Sequence, residues 1–277
     1  MKKIKFAYIA PIKYLDLVPE DSDFHLVLVH LLKNPAYAEF YQKKIKRGDV
    51  VICDNSAFEF GKPMETTQLL DEIGKSGIKP TYVVAPDYPT CDWKKTIKST
   101  EQFIKDVELE DFQVMGVPQS EIGDWRGWLN GYQEMLNIPE IKMIGMSILG
   151  IPNAFQSLTN TADIAFNRVF ATNYILQNGL NDSRYETWHH YLGLGNGPRE
   201  LLAQRQLGLI DSNDSSSPFW HGIEFIRFDE TGTGLKDGKV KTAVDFDMKR
   251  YPIGDPYIEF NINWMNKNIL QDYDVNG

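Results

Sequence analysis

Cysteine is scarce: the 277 residues hold two, Cys53 and Cys91. One bridge is the most they could form, which excludes a disulfide-stapled secreted scaffold. Cys53 sits inside the apolar run VVIC and reads as a small buried hydrophobe. Histidine is also scarce, with five residues. No Cys/His set has the spacing of a tetrahedral zinc site, so no metal is expected. His189 and His190 are adjacent, and on a strand they would face opposite ways, which suits them poorly to sharing one ion. No apolar run approaches the ~20 residues that cross a bilayer, so no membrane partner is expected. The opening MKKIKFAYIA is basic and then apolar, but its apolar stretch is too short for a signal peptide and reads as a first strand. A cytoplasmic protein is the expectation. No GxGxxG follows that strand, and the glycines of GLGNGP (193–198) have the wrong spacing for a dinucleotide or phosphate fingerprint. No cofactor is expected. Positive charge is in deficit too, with a net charge of −9. Tight, indiscriminate nucleic-acid binding needs Lys and Arg to neutralise phosphate. Two runs concentrate cations, QKKIKRG (42–48) and DWKKTIKS (92–99), and either alone reads as a solvated helix face.

What the chain does have is alternation. Apolar strand-like runs recur at KFAYIA (5–10), FHLVLVH (24–30), DVVICD (49–54), TYVVAPD (81–87), FQVMGVPQ (112–119), IKMIGMSILG (141–150), WHHYLGLG (188–195) and LGLIDSND (207–214). Segments with helical spacing and caps lie between most of them: 34–48, 64–77, 92–107, 121–136, 161–179 and 196–208. With 42% apolar residues the chain can bury a large core. This rhythm predicts an α/β fold, a (β/α)8 TIM-like barrel occupying 1–277 as one domain. A doubly wound sheet is the alternative. The rhythm changes after 222. IEFIRFDETGTGLKDGKVKTAVDFDM alternates around glycine-rich turns and predicts a β-hairpin insertion near the C-terminus, and NINWMNKNILQDY predicts a closing helix.

The polar residues at the ends of these runs carry the chemical information. Asp54, Asp87, Gln119, Asp211 and Asp214 each follow an apolar stretch, and the C-terminal strand ends of a barrel converge on one face. Each aspartate alone also fits a turn cap or a solvated loop. Several carboxylates at one mouth suit glycosyl transfer, in which one attacks an anomeric carbon and another moves the leaving group's proton. Gln119 both donates and accepts, as reading the edge of a heterocycle requires. Phe58, Phe219 and Trp220 are candidates for stacking on a base or for rim packing.

In order along the chain, these segments resemble the tRNA-guanine transglycosylase superfamily over roughly residues 45–225. CDNSAFEFG is similar to its DSGGF-like motif, which makes Asp54 the general acid/base. APDYP and MGVPQS match segments whose aspartate and glutamine contact the base, here Asp87 and Gln119. IGMSILG is similar to a GGLAxG-like strand with backbone contacts, here at Gly145 and Met146. The stretch 189–218 looks like the strand–glycine–helix–GxDxFD…P segment, which makes Asp214 the nucleophile and Asp211 its substrate-binding neighbour. The resemblance implies a barrel that exchanges guanine in a nucleic acid for a free 7-deazaguanine base through a covalent aspartyl intermediate.

Departures from the pattern direct the choice of polymer. With no cysteine after Cys91, the family's Cys₃His zinc subdomain has no counterpart. Phe219, Trp220 and His221 stand where basic residues are expected. Ser56, Ala57 and Met146 replace glycines. These differences resemble the DNA-guanine transglycosylase branch of bacterial DNA-modification clusters and phages, with a base such as 7-cyano-7-deazaguanine. DNA is then the expected partner, in the host cytoplasm for a phage-encoded chain, and a partner protein supplying DNA affinity fits the acidic charge. The alternatives are a tRNA enzyme lacking zinc, a glycosidase or nucleoside-processing barrel, and a non-catalytic binding subunit.

Overall fold

A computed structural model describes residues 3–107, 109–156, 161–182, 185–195, 197–228 and 245–271. Eight parallel strands are present: β1 Lys5–Tyr8, β2 Phe24–Leu28, β3 Val50–Asp54, β4 Tyr82–Val84, β5 Gln113–Gly116, β6 Ile141–Met146, β7 Trp188–Tyr191 and β8 Ser212–Ser215. Their order around the sheet is β1-β8-β7-β6-β5-β4-β3-β2. β1 lies beside β2, though no ladder joins them among the described residues, so the barrel is nearly closed.

Three of the described helices begin at a side-chain cap. In α1 (Pro35–Arg47) the Asn34 side chain accepts from the backbone N–H groups of Ala36 and Tyr37, and Gly48 ends the helix at φ +95°. A Cβ is costly at that φ, and glycine has none. α2 (Ala57–Phe60) is a single turn after β3, and α3 (Thr66–Ser76) follows. Asp92 caps α4 (Trp93–Asp106), and Asp124 caps α5 (Trp125–Leu136). α6 (Gly150–Ala154), α7 (Thr161–Gln177), α8 (Pro198–Leu207), α9 (Ser217–Ile223) and α10 (Asp255–Met265) complete the set described. The short helices α2, α6 and α9 follow β3, β6 and β8 closely, and α2 and α9 form part of the rim at that end of the barrel. Their apolar periodicity is too brief to stand out in sequence. Of the stretch expected as a hairpin, residues 229–244 lie outside the described residues.

Two apolar layers follow from the pleat, which sends successive side chains to opposite faces. Phe24, Leu26, Leu28, Ile52, Val84, Met115 and Met143 fill the barrel interior, while Val27, Val51, Cys53, Val83, Val114 and Ile144 pack outward against the helices. Cys53 is fully buried, and burial pushes its thiol up. Both cysteines are free. Among the described residues, no helix is long and apolar enough to cross a membrane.

β8 departs from expectation. The apolar LGLI leads into the barrel, and the strand itself is the polar SNDS. Its ladder is set by neighbours on both sides: Lys5 to Tyr8 of β1 pair with Ser212 to Ser215, and His190 and Tyr191 of β7 pair with Ser212 and Asn213. A polar strand survives inside the barrel because its side chains bond to β7, to the Gly193 peptide that follows β7 and to the first turn of α9.

Candidate active site

A cavity of about 220 Å³ opens at the C-terminal ends of the strands. Asp54, Asp87, Gln119 and Asp214 all line it, as do Phe58 of α2 and Trp220 of α9. The floor is apolar, from Ile9, Leu26, Leu28, Val84 and Val117. No lysine or arginine lines it among the described residues.

Asp214 is buried, at 4% exposure. Its Oδ1 lies 2.9 Å from His190 Nε2 and accepts from the backbone N–H of Gly193 at 3.2 Å. Its Oδ2 accepts no hydrogen bond among the described residues, so one oxygen is anchored and the other is left for a ligand. The Gly193 peptide is itself fixed. Arg168, fully buried on α7, donates to the carbonyls of Met146, Leu192 and Gly193, lies 3.4 Å from the Tyr191 ring centroid and pairs with Glu200 at 3.3 Å.

Asp87 is gripped from two sides. Asn55 Nδ2 donates to Oδ1 and Gln119 Nε2 donates to Oδ2, both at 2.7 Å. Burial pushes the Asp87 carboxyl up to about 6, and these two bonds hold it from rising further. Gln119 Oε1 is buried without a hydrogen-bond partner among the described residues. The cavity therefore presents a carboxylate and an amide side by side, with an unmet acceptor. Gly150 makes room for this pair, because a Cβ there would meet Gln119 Oε1 at 2.6 Å. Gly150→Ala is expected to push Gln119 off Asp87 and to raise Kd for the ligand by about 10-fold or more, the worth of a hydrogen bond to a charged group. Calorimetric titration with the free base checks this, and an unchanged Kd would remove Gln119 from recognition.

Asp54 ends β3, and its Oδ2 accepts from the Ser56 N–H at 2.7 Å. That residue stands at φ +59°, and its hydroxyl meets His30 Nδ1 at 2.7 Å. Burial first, and then the neighbouring Glu59, Asp87 and Asp214 charges, hold the Asp54 carboxyl well above the usual carboxylate range. Glu59 is pushed up to about 7, by burial first and by the Asp214 charge, while a bond to its own backbone N–H works the other way. Its Oε2 has no hydrogen-bond partner among the described residues. The site thus keeps a proton on Asp54 at neutral pH.

These protons have a stability consequence. Between the ordinary glutamate value of 4.5 and about 7, the folded protein keeps the Glu59 proton that the unfolded chain releases. Stability then falls as pH rises through that window. Glu59→Gln lacks this slope. Its melting temperature should exceed wild type by about 2–6 °C at pH 8, and the gain should shrink below pH 5. Scanning calorimetry at the two pH values measures this. An equal shift at both would show that Glu59 ionises freely in the folded state.

Four expected site residues lie elsewhere, and one expected cation run does too. Asp211 precedes β8, at the opposite end of the barrel, where its Oδ2 accepts from the His189 N–H and its carbonyl accepts from the Lys5 N–H. The slip arises because LGLI is not the strand. Gly145 faces the barrel interior beneath the cavity, where a Cβ would strike Met115, Val117 and Leu192. Met146 faces the helix layer, and its carbonyl is taken by Arg168 and the Leu192 N–H. Neither lines the cavity; Ser147, Ile148 and Leu149 do. Phe219 is fully buried and does not line the cavity either. The 42–48 cations sit at the far end of the barrel, where Lys44 and Arg47 bond Glu20, Ser22 and Asp49. The 92–99 run starts on the cavity side, with Lys95 over the Tyr88 ring at 3.9 Å.

Asn55, Glu59 and His190 were not singled out for the site. Asn55 and Glu59 follow Asp54 in DNSAFEFG, where the turn into α2 folds them back beside it. The two histidines do diverge as strand alternation requires: His189 faces outward to the Tyr132 hydroxyl at 2.8 Å, and His190 faces inward to Asp214. Among the described residues, no group of three or more His, Cys, Asp or Glu is placed to hold a metal ion.

No family model matches the chain, and no curated protein matches it. Solved structures similar to it include the N-acetylneuraminate lyase of Mycoplasma synoviae, at 8% identity and TM-score 0.44, covering 78% of this chain and 69% of that one. An enolase protein from Sargasso Sea environmental sequencing has 11% identity and TM-score 0.38, covering 77% and 54%. An IMP dehydrogenase/GMP reductase-like protein of Corynebacterium glutamicum has 11% identity and TM-score 0.38, covering 83% and 65%. The chain spans little more than half of the second and just under two thirds of the third.

Proposed function

We propose that the protein is a base-exchange transglycosylase that replaces guanine in a nucleic acid, DNA by the motif resemblance, with a 7-deazaguanine. The observation that carries this reading is the convergence of Asp214, Asp54 and the Asp87–Gln119 pair on one cavity. Asp214 Oδ2 attacks the anomeric carbon as the bond to guanine breaks. The departing guanine takes the bonding electron pair and a proton from Asp54. The incoming base returns a proton to Asp54 while its ring nitrogen attacks the same carbon and releases Asp214. Asp87 and Gln119 read donor and acceptor groups common to guanine and its 7-deaza analogue. A base in duplex DNA reaches the cavity by flipping, at a cost of a few kcal/mol.

A second reading, a glycosidase-like or nucleoside-processing barrel, is favoured by a lining without Lys or Arg among the described residues, since a polymer's phosphates need compensation. One experiment separates the two. The protein is incubated with labelled guanine and DNA, tRNA or free deoxyguanosine, and each pool is digested and analysed by mass spectrometry. Label in DNA supports the first reading, and label in tRNA moves the same chemistry to RNA. Turnover of the nucleoside alone would replace the proposal with the second reading. Absence of turnover on all three would leave a binding subunit.

A further inference from the structure

We infer that His190 is a positioning residue that donates its Nε2–H to Asp214, with Ser212 fixing the tautomer. The part of this inference that concerns turnover rests on the proposed attack by Asp214. Strand geometry sets up the chain of contacts. Ser212 and Asp214 are two apart on β8 and share the inward face, and His190 is the β7 register partner of Ser212. The ring bridges them, with Nδ1 to Ser212 Oγ at 2.8 Å and Nε2 to Asp214 Oδ1 at 2.9 Å. His190 is fully buried, and its ring lies 5.8 Å from that of Phe24.

An ionised carboxylate only accepts, so the proton between His190 and Asp214 belongs to Nε2. In a neutral ring Nδ1 is then an acceptor, and the Ser212 hydroxyl turns to donate to it. The direction of every bond is thereby set: Ser212 to His190, and His190 to Asp214. Gly193 N–H supplies the second donor to the same oxygen. Both donors hold Oδ1, which opposes rotation of the carboxylate and leaves Oδ2 for the cavity. A triad's base is oriented in this way by its third member, but here the oriented group is the carboxylate itself.

Two measurements on the full chain test this. In the first, ¹⁵N NMR of the histidine rings identifies the tautomer without requiring activity. The expected result is an Nε2–H with a downfield proton and an unprotonated Nδ1, with the proton signal moving upfield in Asp214→Ala and the tautomers mixing in Ser212→Ala. A proton on Nδ1 would overturn the inference whether or not base exchange is ever detected. The second measurement is exchange kinetics. His190→Phe keeps the ring's shape against Phe24 and removes the donor. Its kcat should fall about 10- to 100-fold with KM for the free base unchanged, and His190→Gln, which retains an N–H, should recover part of the loss. Wild-type kcat in folded His190→Phe, or equal losses in the Phe and Gln variants, would also overturn it. If His190→Phe fails to fold, Ser212→Ala carries the kinetic test, with a smaller fall in kcat expected and an unchanged kcat contradicting the inference. A correct tautomer in a protein that exchanges no base would sink the transglycosylase reading and leave the His190–Asp214 contact standing.

Discussion

Asp214→Asn should abolish base exchange, lowering its rate by ~10³-fold or more, while leaving the fold and the binding of the free base intact. The amide keeps the shape of the carboxylate, and its oxygen can still accept from His190 Nε2 and the Gly193 N–H. What it loses is the charged oxygen facing the cavity, and with it the covalent intermediate. Recognition should survive because Asp87 and Gln119 are held by each other and by Asn55, independently of β8. The measurements are incorporation of labelled guanine, a denaturing gel for the protein–DNA adduct, and calorimetric Kd for the base. A variant that exchanges base at the wild-type rate would end the nucleophile assignment. Asp211 could not substitute for it, because it lies at the other end of the barrel.

Asp54→Asn should behave differently, with exchange of guanine falling about 10²- to 10⁴-fold, the usual contribution of a proton-transfer group. Asp214 remains ionisable in this variant, so a nucleoside whose leaving base needs no protonation should still form the adduct. The pH profile gives a second signature. Burial and the surrounding carboxylates hold the Asp54 proton to a pH well above the ordinary aspartate range. Wild-type exchange should therefore persist through neutrality and decline on the alkaline side as Asp54 loses its proton. In Asp54→Asn that alkaline decline should disappear, leaving a low, flat rate. An unchanged alkaline limb would assign it to another group, and loss of adduct formation with the activated substrate would mean that Asp54 also assists the attack.

Glu59 completes the picture of a site that opposes its own stability. Asp54, Glu59 and Asp87 all have raised proton affinities, so each favours unfolding as pH rises through its window. Such strain persists at functional sites because the arrangement serves chemistry rather than packing. The expected stabilisation of Glu59→Gln at pH 8 is the direct measure of it.

The alternating α/β rhythm and much of the site's mouth were legible in the residues alone, while closure into a barrel rather than a doubly wound sheet was not. Apolar runs separated by capped helices leave few topologies, since parallel strands need crossover helices. Asn34, Asp92 and Asp124 cap helices because their side chains reach free N–H groups one turn on, a strictly local matter. Asp54, Asp87 and Gln119 follow strands whose apolar character is unmistakable, and strand direction alone sends them to one end. Period-two alternation likewise separates His189 from His190. Tertiary structure decided what depends on partners distant in the chain. Which of LGLI and SNDS is β8 was settled by ladders to β1 and β7, and that register put Asp214 in the cavity and Asp211 outside it. Gly145 and Met146 missed the cavity because the pleat carries one beneath it and the other into the helix layer. The Ser212–His190–Asp214 chain joins two strands that are adjacent only in the folded barrel. The proton affinity of Asp54 combines burial with the charge of Glu59 from its own segment and with those of Asp87 and Asp214, which only the folded barrel brings close.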